Sequence, residues 1–149
     1  MMSLLNGPED PRRGGPITSH RVLGVLQTLI GIGAVAGGLG LMLDPSGGSL
    51  GTPLELLDNT PFTSFLVPGI VLFIVNGLGS LAGAVASFTR QRHAGAIAMA
   101  LGSFLVTWIL IQVYWMSGFH WLHWLYLVLG IVEALLGWSV WRAESRSTA

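Results

Sequence analysis

The chain has no cysteine in its 149 residues. That absence excludes disulfides, thiolate metal sites and thiol-based catalysis on either side of a membrane. It has no lysine either, since all seven basic residues are arginine. Charge of both signs is scarce. Charged residues make up 9% of the chain, against roughly 25% in soluble domains. The formal net charge is zero, so no overall field recruits nucleic acid. A convergent set of acids, bases and nucleophiles is missing as well, which weighs against an enzyme.

What the chain has instead is apolar length. Hydrophobic residues make up 52%, and the mean hydropathy is +0.68. Four long apolar segments stand out, at 22–43, 64–88, 94–116 and 121–141. Each is close to the roughly 20 residues that cross a ~30 Å hydrocarbon core at ~1.5 Å per residue. Backbone groups in lipid must be satisfied within the segment, so these are helices rather than strands. A soluble bundle would need a polar face on each, and none has one. The fold class expected is therefore all-α, an integral membrane bundle of four transmembrane helices spanning residues 22–141.

Residues 1–21, "MMSLLNGPEDPRRGGPITSHR", hold three prolines and three glycines and are expected to form a disordered tail. Residues 142–149 form a second tail. The first apolar run is too long for a signal peptide and lacks a polar cleavage region, so it reads as a retained helix.

The arginines orient the bundle. Arg12, Arg13 and Arg21 precede the first span, Arg90 and Arg92 lie between the second and third, and Arg142 and Arg146 follow the fourth. With four spans all seven fall on one side. The other side carries Asp44, Glu55 and Asp58 in its long loop. The positive-inside rule then puts both termini in the cytoplasm, with the chain a multi-pass protein of the cytoplasmic membrane. Tyr114, Trp115, Phe119, Trp121, Trp124 and Tyr126 cluster at the outer turn between spans three and four. Trp138 and Trp141 mark the inner end of span four. Both groups suit headgroup-level aromatic belts.

The outer loop, "DPSGGSLGTPLELLDNTPF" at 44–62, has ordinary stop and start signals. Asp44-Pro45 ends the first helix. Thr52-Pro53-Leu54-Glu55 matches a capping box, with Thr as N-cap and Glu three residues on. A short amphipathic helix at 53–58, lying in the membrane interface, is the expectation. The loop is either a packed connector or a lid over an outward-facing cavity.

Polar residues inside the spans are the functional candidates. Asn76 and Glu133 each lie about 12–14 residues from the outer end of their helix, roughly 20 Å down. Gln112 lies nearer the outer surface, and Gln27 and Thr28 in the inner half of the first span. A carboxylate at Glu133's depth costs at least ~2.5–3.5 kcal/mol unless neutral or paired, and no basic residue within the spans pairs with it. Two readings stay open. Glu133 and Asn76 form an interhelical hydrogen bond that orders packing, worth roughly 0.6–2 kcal/mol. Alternatively Glu133, Asn76 and Gln112 form a ligand- or proton-binding pocket.

Glycines carry a packing signal. Gly33–Gly37 and Gly79–Gly83 are GxxxG pairs. "GIGAVAGG" and "GLGSLAGA" resemble each other on helices of opposite direction, as an inverted repeat would, although glycine is common enough here for coincidence. The first lacks a preceding strand and is no dinucleotide loop. His120 and His123 form an HxxH pair at the outer mouth, a weak metal candidate beside an ordinary interfacial reading. No histidines sit at matching depths within the spans, so haem is not expected, and no cofactor is assigned.

"GGLGLMLDPSG" (37–47), "TPFTSFLVPGIVLFIVNG" (60–77) and "LYLVLGIVEALLGW" (125–138) together resemble small bacterial four-helix membrane proteins of the DoxX-like type. The resemblance covers roughly residues 22–141. It implies a compact four-helix bundle in the cytoplasmic membrane and no particular activity. Some DoxX-like proteins are linked to quinone-coupled oxidation as accessory subunits, and any thiol chemistry of such relatives is unavailable to a chain without cysteine. The function expected is a structural or accessory membrane subunit, with the lipid bilayer and a second copy or a membrane protein as partners. The alternative is a small proton-linked transporter or ligand-binding protein using the buried carboxylate.

Overall fold

The computed structural model describes residues 14–115 and 121–146, with side chains from residue 17 onward. Among these residues no strand occurs. Four helices dominate: α1 (Gly14–Leu43), α2 (Leu66–Phe88), α3 (Ala94–Trp115) and α4 (Trp121–Arg146). All four are long and apolar enough to cross a membrane. One end of the bundle holds the α2–α3 turn, the start of α1 and the end of α4; it is the arginine end. The other carries the 44–65 connection and is the loop end.

The surface is the reverse of a soluble bundle's. Val25, Leu29, Ile32, Val85, Leu110, Val128 and Leu135 are exposed, while Gln27, Asn76, Ser80, Ser87 and Glu133 are buried. Water would not leave so large an apolar surface uncovered on a monomer. A hydrocarbon surround does so at no cost, because lipid tails are as apolar as leucine.

Two helices run past their apolar segments. α1 starts at Gly14 rather than near Val22, and α4 continues to Arg146 rather than ending near Trp141. The extensions hold each other. His20 is buried against α4, its Nε2 3.8 Å from Glu144 Oε1. Pro16 does not interrupt α1, because it lies in the first turn, where a missing N–H is tolerated.

The loop differs from expectation. Instead of an amphipathic helix at 53–58 it contains two short 3-10 turns, Gly48–Leu50 and Leu54–Leu57. The capping box does not form. Pro53 is the N-cap and no side chain caps the turn. The Thr52 hydroxyl instead donates to the Gly47 carbonyl at 3.0 Å, beside the Thr52 N–H on the same oxygen at 2.9 Å. The chain folds back on Gly47, which has φ 76° and whose missing Cβ would collide with the Thr52 carbonyl. Ahead of it, the Asp44 carboxylate accepts the Ser46 hydroxyl and the Ser49 N–H. These bonds, the Ser46 hydroxyl first, hold the Asp44 carboxyl below its ordinary value. At the other end of α2, Arg90 has φ 52°. The Gln91 N–H reaches the Ala86 carbonyl and the Arg90 N–H reaches that of Ser87. That is a Schellman stop with arginine where glycine is usual.

The helices pair through glycine backbones, but not through the GxxxG pairs. Gly33 faces the Tyr126 hydroxyl, Gly37 the Leu72 side chain, and Gly79 and Gly83 face Leu101. The close approaches are Gly31 to Gly77 and Gly38 to Gly69 between α1 and α2, then Gly95 to Gly137 and Gly102 to Gly130 between α3 and α4. The pattern repeats in detail. A Cβ at Gly38 would lie 2.8 Å from the Phe73 nitrogen, four residues beyond Gly69. A Cβ at Gly102 would lie 2.6 Å from the Ala134 nitrogen, four beyond Gly130. The α1–α2 and α3–α4 pairs thus share this glycine contact.

One spacing breaks the match. Gly31–Gly38, Gly95–Gly102 and Gly130–Gly137 are seven residues apart, but Gly69–Gly77 is eight. The additional residue falls where α2 widens into a π-helical segment, Leu72–Leu78. A π-turn takes up one extra residue without breaking the helix, so both glycines of α2 still meet α1.

This packing is testable at two contrasting glycines. Gly102→Val drives a side chain into the α4 backbone and is expected to cost about 1–3 kcal/mol. Gly37→Ala meets only Leu72 Cδ2, at 3.5 Å, and is expected to be near neutral. Thermal unfolding of the purified variants in detergent reads the difference. Equal melting temperatures for the two would refute the glycine pairing.

Candidate functional site

Two polar features lie inside the bundle, and they are separate. The first is a closed chain of side chains toward the arginine end. Ser87 Oγ on α2 donates to Gln27 Oε1 on α1 at 2.8 Å, and Gln27 Nε2 donates to Glu133 Oε1 on α4 at 3.1 Å. All three residues are 0% exposed. Gly83 makes room for the amide, since a Cβ there would lie 2.7 Å from Gln27 Nε2. Three helices are therefore tied by one amide acting as acceptor and donor. Glu133 Oε2 has no partner.

The pairing expected between Glu133 and Asn76 is not the one formed. Asn76 sits in the π-helical segment, 1% exposed, with its Nδ2 unpartnered. Glu133 takes Gln27 instead. Equal depth made Asn76 the natural partner, but depth does not say which way a side chain faces, and the π segment changes the facing of α2. Gln27 and Ser87 are the site residues that the sequence reading did not assign. The available signal was Gly83, one turn before Ser87, a gap suited to a side chain from α1.

The second feature is a cavity of about 650 Å³ at the loop end. All four helices and the 50–62 part of the loop line it. Its deeper part is formed by Gly33, Leu72 and Leu105, its walls by Trp108, Ile109 and Pro68, and its loop side by Leu50, Leu57 and Thr60. Among the lining residues there is no Asp, Glu, Lys or Arg. Gln112, His123 and Tyr126 bring polar groups to it. Neither the Gln112 amide nor the Tyr126 hydroxyl makes a hydrogen bond to a described residue. Gly33 leaves space for the phenol, as a Cβ there would lie 2.7 Å from Tyr126 Oη.

Of the three candidates Glu133, Asn76 and Gln112, only Gln112 lines the cavity. Glu133 and Asn76, which the alternative reading placed in one pocket with Gln112, are not among its lining residues. His123 lines the cavity at its loop end, while His120 lies outside the described residues. Among the described residues, no three His, Cys, Asp or Glu side chains gather as a metal site would require.

No protein-family model, curated protein or solved structure matches the chain. The DoxX-like resemblance therefore rests on the quoted residues alone.

The closed polar chain makes an asymmetric prediction. Gln27→Leu strands the Glu133 carboxyl and is expected to destabilise the bundle by about 1–3 kcal/mol. Glu133→Gln keeps an acceptor for Gln27 and is expected to lose less than half of that. Denaturation of both variants, of Glu133→Leu and of Gln27→Leu/Glu133→Leu is the check. The double change should cost less than the sum of the two single leucine changes, and strict additivity would dissolve the proposed coupling.

Proposed function

We propose that this is a multi-pass membrane protein that binds a small lipophilic molecule in the loop-end cavity. The observation that carries the reading is the cavity itself. Its size falls within the ~300–1,000 Å³ of small-molecule sites, and it has the usual makeup of apolar walls with a few polar groups. The absence of charge among the described lining residues suits a ligand that partitions from the bilayer. The proton-linked alternative gains less support, because Glu133 is closed into its own hydrogen-bonded chain away from the cavity. That chain favours a packing role for the carboxyl, and the two glycine-paired hairpins support a second reading, an accessory subunit whose task is structural.

Extraction of small molecules from the purified protein, followed by mass spectrometry, separates the two readings. A lipophilic compound near one equivalent is expected from the native chain. Gly37→Phe, which fills the cavity, should carry under a tenth of it. Equal amounts in both would leave the accessory reading.

The same proposal places the arginine end in the cytoplasm and the 44–62 loop outside, in the cytoplasmic membrane of a bacterial cell, supported by the one-sided arginines. A chain without cysteine makes the check direct. With single cysteines at Ser49 and Gln91, an impermeant maleimide added to intact cells should label Ser49→Cys and spare Gln91→Cys. The reverse pattern would invert the topology.

A further inference from the structure

The arginine end carries charge that the fold leaves unpaired. Five arginines are described there, Arg21, Arg90, Arg92, Arg142 and Arg146, and all are exposed. The one carboxylate described at that end is Glu144, and His20 engages it. None of the five arginines forms an ion pair with a described carboxylate.

Two of them are held in ways that the fold itself does not require. Arg90 is the one described non-glycine residue with positive φ, at 52°. Glycine adopts that conformation freely, whereas a residue with a Cβ is strained there. The turn gains nothing in return from the arginine side chain. It is closed by backbone bonds, Gln91 N–H to Ala86 and Arg90 N–H to Ser87, and the guanidinium has no partner among the described residues. Arg142 lies over the Trp138 ring, 4.5 Å from its centroid. A guanidinium stacked on a ring keeps its in-plane N–H groups available as donors.

Both arginines stand where a span gives way to the headgroup level. Arg90 comes two residues after Phe88, the last residue of α2. Val85 and Phe88 before Arg90, and Trp138 and Trp141 before Arg142, are exposed apolar side chains. A fitting partner offers an anion and an apolar body at adjacent levels. A phosphate carried on acyl chains offers both, and its oxygens match the guanidinium fork. A soluble anion lacks the apolar part.

We infer that Arg90 and Arg142 each hold the phosphate of an anionic phospholipid in the leaflet at the arginine end. These contacts lie on the outside of the bundle. They are independent of the cavity and its ligand, and need only that the helices span a membrane. Arg90 keeps a side chain at a glycine position because the lipid uses it.

Thermal unfolding of the full chain in a neutral detergent, with and without added lipid, tests this. Phosphatidylglycerol is expected to raise the native midpoint by about 3 °C or more, as a ligand of the folded state does. Phosphatidylcholine is expected to give less than half of that shift. Arg90→Gly should unfold no lower than the native chain in detergent alone, because glycine fits φ 52° without strain. The same variant should lose at least half of the phosphatidylglycerol shift. Arg90→Gly combined with Arg142→Gln should lose nearly all of it.

Equal shifts from the two lipids in the native chain would overturn the contact with anionic lipid. A full phosphatidylglycerol shift in the double variant would do the same. A matching shift from glycerol phosphate would assign the guanidiniums to a soluble anion instead of a lipid. A lower midpoint for Arg90→Gly in detergent alone would show that the side chain serves the fold, and the lipid contact at Arg90 would fall.

Discussion

The close approach of glycine backbones is the constraint on which the rest of the bundle depends. Where Gly31 meets Gly77 and Gly102 meets Gly130, there is no space for even one methyl group between the helices. Helices in lipid gain little from burying apolar surface against each other, so tight contact of this kind and interhelical hydrogen bonds supply most of the association. The positions of the glycines also decide where the bundle is open. α3 and α4 are pinned by Gly95, Gly102, Gly130 and Gly137, from mid-helix to the arginine end. Toward the loop end these helices carry Trp108, Trp115 and Tyr126 instead, all three of which line the cavity. The cavity is the space left where large rings replace glycines.

The polar chain and the cavity divide the polar residues between two tasks. Gln27 satisfies Ser87 and Glu133 together, deep in the half where helices are closest. The gap at Gly83 is what permits Gln27 to reach both, while Glu133 Oε2 has no partner among the described residues.

Much of this was legible in the residues. Four spans follow from apolar length alone, and their ends were placed within a few residues wherever a proline or charge bounded them, as at Leu43 before Asp44-Pro45. The early start of α1 lies beyond the apolar run, where His20 meets Glu144 near the far end of the chain. The capping box at Thr52 did not form: Thr52 is turned back onto the Gly47 carbonyl and Pro53 takes the N-cap position. Glu133 was recognisable as unusual, but its partner was not. Spacing gives depth along an axis, while pairing depends on rotation about it, and one π-helical turn alters that rotation.

That turn has a consequence for α2 as a whole. An added residue in a regular helix would rotate everything beyond it by about 100°. Because Leu72–Leu78 absorbs the residue locally, the two halves of α2 obey separate face patterns while sharing one axis. Pro68 and Leu72 are turned toward the cavity, and Gly83 and Ser87 toward Gln27. A single rod thereby behaves as two independently aimed segments, so substitutions that reshape the cavity end need not disturb the alignment of the hydrogen-bonded end.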